Sequence, residues 1–107
     1  MTSLAHFEAI AGAIALPGKA VINGKAVAAR SGKTFDNITP RDGRVINAVA
    51  ECDSADIEDA VSAARASFES GAWRKLSYGR KKRLMFALAD LMEKNAETLA
   101  VLESLDV

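Results

Sequence analysis

Apolar positions organise the second half of the chain. Ile57, Val61, Ala64 and Phe68 fall at i, i+4, i+7 and i+11, which places them in one stripe along a helix. Asp53 and Ser54 supply N-cap oxygens ahead of that stripe, and Gly71 suits the left-handed residue that closes it. Ser77 opens a second helical run in which Leu84, Leu88, Leu91, Leu99 and Leu102 recur at helical spacing, with Met85, Phe86 and Met92 widening the apolar face. A single helix from Ser77 to Leu105 would exceed the usual span of about 8 to 20 residues, so a break is expected at Lys94-Asn95-Ala96-Glu97. There Lys94 suits a C-terminus, the Asn95 side chain a new cap, and Glu97 a first turn. Three helices are thus expected after residue 53. Their apolar faces are too broad for isolated surface helices, so part of that surface is expected to lie against chain outside residues 1–107. The run is still apolar at Leu105-Asp106-Val107, which reads as a cut.

The first half is patterned differently. Leu4 to Leu16 is mostly apolar but carries His6 and Glu8, which predicts an amphipathic helix ended by Pro17-Gly18. It lacks a basic flank and is shorter than the ~20 residues that span a bilayer, so secretion and membrane insertion are disfavoured. Ala20-Val21-Ile22 and Ala26-Val27-Ala28 flank Asn23-Gly24, the dipeptide of a tight hairpin. Thr34 to Thr39 is β-prone, Pro40 to Gly43 supplies turn chemistry, and Arg44 to Ala50 alternates Val45, Asn47 and Val49 against Ile46, Ala48 and Ala50. The order is one helix, about four short strands as two hairpins, then about three helices. Taken alone this is an α+β chain, with residues 1–18 as an N-terminal helix and 19–107 as the following unit.

Charge adds a local asymmetry. Lysine plus arginine balance aspartate plus glutamate at 14 each, so no global field favours nucleic acid or an anionic membrane. Yet Glu51, Asp53, Asp56, Glu58 and Asp59 cluster, and so do Arg74, Lys75, Arg80, Lys81, Lys82 and Arg83. The early carboxylates complement a helix dipole, whereas the cations in the first turn of the second helix oppose one and need compensation, such as an acidic surface elsewhere. Trp73 and Tyr78 could stack bases beside the basic cluster, but the zero net charge favours a solvated or intramolecularly paired face over a nucleic-acid site. Cys52 is the single cysteine, which leaves no internal disulfide and fits a reducing cytoplasm. It is expected as a buried or half-buried structural residue at a strand end, and His6 as an ordinary helix-face residue. The seven glycines are scattered at turns with no GxGxxG or P-loop spacing, so no catalytic or cofactor-binding residue is assigned.

The order of short motifs is more specific than any one of them. Val21-Ile22-Asn23-Gly24, Lys33-Thr34-Phe35, Ile38-Thr39-Pro40 and Asp42-Gly43 are followed by Ala60-Val61, Ala63-Ala64-Arg65-Ala66 and Phe68. Trp73, Arg80, Arg83-Leu84, Leu88-Ala89-Asp90-Leu91 and Leu102-Glu103-Ser104-Leu105-Asp106 complete the series. Together they resemble the opening of NAD(P)-dependent aldehyde dehydrogenases over residues 19–107. The helix before the hairpin and Lys81-Lys82-Arg83 resemble the bacterial aminoaldehyde and γ-glutamyl-aminobutyraldehyde dehydrogenases.

The resemblance implies a parent enzyme in which these residues begin a Rossmann-like α/β coenzyme-binding domain. It implies NAD or NADP as coenzyme, an aldehyde substrate and a homo-oligomer, with the rest of the dehydrogenase chain as this segment's partner. In such enzymes a cysteine thiolate attacks the aldehyde, hydride passes to NAD(P)+, and a base-assisted water releases the acid. The family's nucleophile, general base, oxyanion ligand and coenzyme contacts all lie beyond residues matched here, and Cys52 does not match the nucleophile motif. One partial site is implied: backbone oxygens near Asn37 and Ile38 with the Asp106 carboxylate, as part of a monovalent-cation site. The alternative is a self-standing interaction module that binds a partner through its exposed helix faces.

Overall fold

The computed structural model describes residues 3–107. Four helices and four strands follow in the order α1 (Leu4–Ala13), β1 (Ala20–Ile22), β2 (Lys25–Val27), β3 (Thr34–Ile38), β4 (Val45–Ala50), α2 (Ser54–Ser70), α3 (Tyr78–Lys94) and α4 (Ala96–Asp106). The strands form two separate antiparallel hairpins, β1-β2 and β3-β4, so the chain is α+β as expected. Asn23 and Gly24 both take positive φ, 52° and 71°, the mirror-image turn that matches the twist of a two-residue hairpin.

Helix α1 ends at Ala13, short of the expected Pro17-Gly18. Residues 14–18 instead run extended beside β4, where Ala50 N–H donates to Gly18 O at 2.6 Å and the Asn47 side-chain amide to Leu16 O at 3.4 Å. An extended backbone presents those carbonyls to β4, and Pro17 biases Leu16 towards that conformation. Gly18 is there for its missing side chain: a Cβ would land on the Ala48 carbonyl oxygen. The expected alternation of β4 also fails locally. Asn37 pairs with Asn47 and Ile38 with Val45, so Ile46 is an extra residue in a bulge, and neighbours Ile46 and Asn47 are both half-buried.

Helix α2 starts with a reciprocal cap. Asp53 accepts from Ala55 N–H at 2.9 Å, and Asp56 accepts from Asp53 N–H at 3.0 Å. Gly71 closes the helix at φ 75°, as expected. Asp56 is only 3% exposed and its second oxygen accepts from Arg30 N–H at 2.9 Å. One turn on, Asp59 takes both arms of the Arg30 guanidinium at 2.7 Å. This fork bolts the segment after the first hairpin to the start of α2. The backbone donors of Asp53 and then Arg30, more than the nearby Arg30 charge, hold the Asp56 carboxyl below its ordinary value despite burial. Asp42 is lowered in the same way by the backbone and then the side chain of Arg44, within the β3-β4 turn.

Helices α3 and α4 meet at Asn95, where the break was expected, but Asn95 caps nothing with its side chain: its amide donates back to Leu91 O at 2.8 Å. Glu97 in the first turn of α4 instead takes His6 Nε2 of α1 at 3.0 Å, so His6 is more than an ordinary helix-face residue. At the other end of α4, buried Thr39 donates its hydroxyl to Leu105 O at 3.3 Å, fastening the end of the β3 strand to the last turn. Val101 of α4 and Ala29 are the buried apolar residues among those described.

There is little core beyond this. The radius of gyration is 17.8 Å, where a compact chain of this length would give about 13 Å. The accessible surface is 8526 Å2 for 11.3 kDa, where a compact monomer would show about 5,700 Å2. About 2,800 Å2 is therefore surplus, and the molecule is a slab 47 × 40 × 18 Å. The large members of the α2 stripe lie on this open side, Ile57, Val61 and Phe68 each about 60% exposed, while its fourth member, Ala64, borders the β1-β2 hairpin with Ala60, Ala63 and Ser67.

Two outcomes follow. Gly18→Ala pushes residues 14–18 off β4, costing at least about 1–3 kcal/mol and the exchange protection of the Ala50 amide. Gly12→Ala, a helical position with nothing near its Cβ, is neutral or stabilising by about 0.5–1 kcal/mol. For Asp56 the sign is set by its lowered folded pKa. Its contribution is complete above the unfolded value of about 3.9 and is lost as pH falls through the depressed folded value. Asp56→Asn lowers stability at pH 7 and flattens that acid limb in a circular-dichroism titration; an unchanged limb contradicts the assignment.

Candidate functional site

The cleft that gathers the singled-out residues lies between β3-β4, residues 16–17 and the end of α4. Leu16, Pro17, Asn37, Asn47, Leu105 and Asp106 are among the residues lining its roughly 180 Å3. Asn37 donates its side-chain amide across the sheet to Asn47 Oδ1 at 3.2 Å, and Asn47 passes its own amide to Leu16 O. Their adjacency in register fixes this relay, and the bulge at Ile46 sits directly beside it. Asn37 and Asp106 are thus brought to one cleft from opposite ends of the chain. Ile38 does not line it with its side chain, which is 56% exposed. No group of three or more His, Cys, Asp or Glu residues is placed to hold a metal among the described residues.

Thr39, Asn47 and Arg30 organise this region and its neighbour, yet none stands out in the sequence. Asp56 and Asp59, three apart at a helix start, were the available signal for a cationic partner, but the pattern does not say which arginine answers it.

Cys52 is exposed, against the expectation of a buried structural thiol. Local desolvation pushes the thiol up from its ordinary pKa, and the charges of Asp56 and then Asp53 add to this. That is the reverse of what a nucleophilic cysteine needs.

The basic cluster finds aromatic faces rather than carboxylates. Lys81 Nζ lies over Trp73 and Tyr78 at 5.9 and 5.7 Å, Arg74 over Phe68 at 5.3 Å, and Lys82 over Phe86 at 5.8 Å. Among the described residues the ion pairs are His6–Glu97, Arg30–Asp59 and Arg44–Asp42, and none uses this cluster. One lysine, Lys81, serves both Trp73 and Tyr78, and both rings stay exposed. No helix is long and apolar enough to cross a membrane among the described residues.

The Cys52 environment makes a kinetic statement: at pH 7.5 it reacts with a maleimide or disulfide reagent more slowly than a small free thiol, and its rate inflects above the ordinary thiol range. A rate faster than the free thiol contradicts it.

Comparison with known proteins places this geometry. The model of the aldehyde dehydrogenase family matches residues 26–107. Aldehyde dehydrogenase family 2 member B4, mitochondrial, of Arabidopsis thaliana is 49% identical over 86 residues, covering 80% of this chain and 16% of its own. A mutant P. syringae indole-3-acetaldehyde dehydrogenase in complex with NAD+ and IAA superposes with TM-score 0.88 at 48% identity, over 94% of this chain and 20% of that one. The γ-glutamyl-γ-aminobutyraldehyde dehydrogenase of Burkholderia cenocepacia superposes with TM-score 0.90 at 38% identity, over 96% and 21%. The chain spans less than a quarter of the length of these relatives. A family match over most of the chain, together with a shared fold at this identity, has one consequence: the chain belongs to the aldehyde dehydrogenase family.

Proposed function

We propose that this chain is the N-terminal segment of an NAD(P)-dependent aldehyde dehydrogenase that oxidises an aldehyde, of the aminoaldehyde kind, to its carboxylic acid. The observation that carries the reading is the family match over residues 26–107. Residues 1–18 are its N-terminal arm, and 19–107 begin a Rossmann-like coenzyme-binding domain of a cytoplasmic homo-oligomer. The aminoaldehyde branch draws on the fold shared with the γ-glutamyl-γ-aminobutyraldehyde enzyme over 96% of this chain.

The segment supplies scaffold. NAD or NADP does not fit the residues present: Gly24, Gly32, Gly43 and Gly71 each serve a turn or cap at positive φ, and none follows a strand into a helix as a pyrophosphate cradle. Attack on the aldehyde and release of the acid belong to residues outside this chain. A monovalent cation fits better. The Asp106 carboxylate and Asn37 share one cleft, and the backbone at Asn37 and Ile38 is disturbed by the facing bulge, a hard-oxygen donor set to be completed from elsewhere. The second reading, a self-standing interaction module, draws on the same bare helix faces.

The purified 107-residue chain is expected to give no NADH with NAD+ and an aldehyde, measured at 340 nm, at any pH where it stays folded. Turnover by the chain alone would sink the scaffold reading.

A further inference from the structure

Asn23-Gly24 and Asp42-Gly43 each set a side-chain carbonyl carbon next to a glycine amide that no side chain shields, the arrangement in which a chain can attack itself. The structure treats the two differently. Gly43 N–H donates to Thr39 O at 3.0 Å, and the Asp42 carboxylate accepts from Arg44 N–H at 3.1 Å and from its guanidinium at 2.7 Å. Those bonds occupy the nitrogen and keep the carboxyl ionised, which makes it a poor electrophile. At the first hairpin neither group is engaged. The side-chain amides of Asn37, Asn47 and Asn95 donate to Asn47 Oδ1, Leu16 O and Leu91 O, whereas among the described residues the Asn23 carboxamide and the Gly24 N–H donate to nothing. Asn23 and Gly24 are both exposed, and a Cβ at Gly24 would meet no neighbour.

Asn23 is also the one non-glycine residue with positive φ among the described residues. That conformation is costly for a residue with a Cβ, and the hairpin imposing it has three residues in each strand. A ribbon so short opens readily, and rotation about the Asn23 Cα–C bond then brings the Gly24 nitrogen to Cγ. We propose that Asn23-Gly24 is a deamidation site, at which the Gly24 nitrogen attacks the Asn23 carboxamide and leaves isoaspartate at the tip of the first hairpin. The nitrogen gives its proton to solvent and bonds to Cγ, the Cγ–Nδ2 bond breaks, and Nδ2 takes up a proton and leaves as ammonia. One water then opens the resulting succinimide, and no electrons are exchanged. Opening at Cγ gives an aspartyl residue, and opening at the main-chain carbonyl gives the isoaspartyl one, whose backbone runs through Cβ. The added methylene does not fit a two-residue turn, so the Ile22–Lys25 pairing is lost. A carboxylate also appears in the cleft that Asn23 and Gly24 share with Ala60 and Ala63 of α2.

The test takes the folded protein as its gene encodes it, aged at neutral and at mildly alkaline pH and then digested with trypsin, beside a synthetic peptide of residues Ala20–Lys25. Isoaspartate is labelled with an isoaspartyl carboxyl methyltransferase and located by mass spectrometry. The expected label is confined to the Ala20–Lys25 peptide and forms at most about a hundredfold more slowly than in the synthetic peptide, since only the opening of a short hairpin holds it back. Its rate rises with pH, because the attacking nitrogen has to lose a proton. In the aged protein the backbone amide resonances of β1 and β2 shift and those of β3 and β4 do not. An Asn23 carboxamide that survives beyond the hundredfold limit overturns the proposal, as does a rate independent of pH. Equal conversion at Asn37, Asn47, Asn95 or Asp42 overturns it too, since the hydrogen bonds would then select nothing.

Discussion

An apolar helix face has to be covered, and most of this chain is shaped by faces that its own residues do not cover. A helix gains little from propensity and much from burying its stripe. Here the large stripe of α2 and nearly all of α3 face outward, while the contacts that are made use small or polar residues. Val101 and Ala29 cannot supply the apolar burial that offsets the ordering of a hundred residues. The slab leaves those faces open, and its flatness is the geometric consequence of having so little to pack between its elements.

Polar contacts between residues far apart in sequence do much of the joining of the elements to one another. The Arg30 fork on Asp59 and the Arg30 N–H on Asp56 tie the segment after the first hairpin to α2. Thr39 ties the second hairpin to α4, His6 ties α1 to α4, and Gly18 lets the extended arm approach β4. These bonds orient the pieces without supplying bulk hydrophobic energy. Hydrogen bonds of this kind contribute about 1 kcal/mol each net, so they select an arrangement more than they stabilise it.

The same division explains the chemistry. Desolvation, and then the charges of Asp56 and Asp53, discourage ionisation of the one thiol, and Arg74, Lys81 and Lys82 lie over aromatic rings. The cleft that joins Asn37 to Asp106 offers oxygen ligands, and its one ionisable lining residue is Asp106. Membership of the aldehyde dehydrogenase family accounts for the sequence.

By itself the sequence determined the elements whose causes are local. The Asp53 cap, the Gly71 stop, the Asn23-Gly24 turn and the corner at Asn95 all lie where short-range rules put them, because each depends on residues within one turn of the chain. Tertiary structure alone decided the rest. It ended α1 at Ala13 because residues 14–18 are needed against β4, inserted Ile46 as a bulge, left Cys52 in the open, and chose Arg30 among fourteen cations for Asp59. Periodicity could say that α2 and α3 are amphipathic, but a stripe reads the same whether its cover comes from the same 107 residues or from elsewhere. Only the arrangement in space distinguishes the two, because burial is a property of neighbours and not of the segment that is buried.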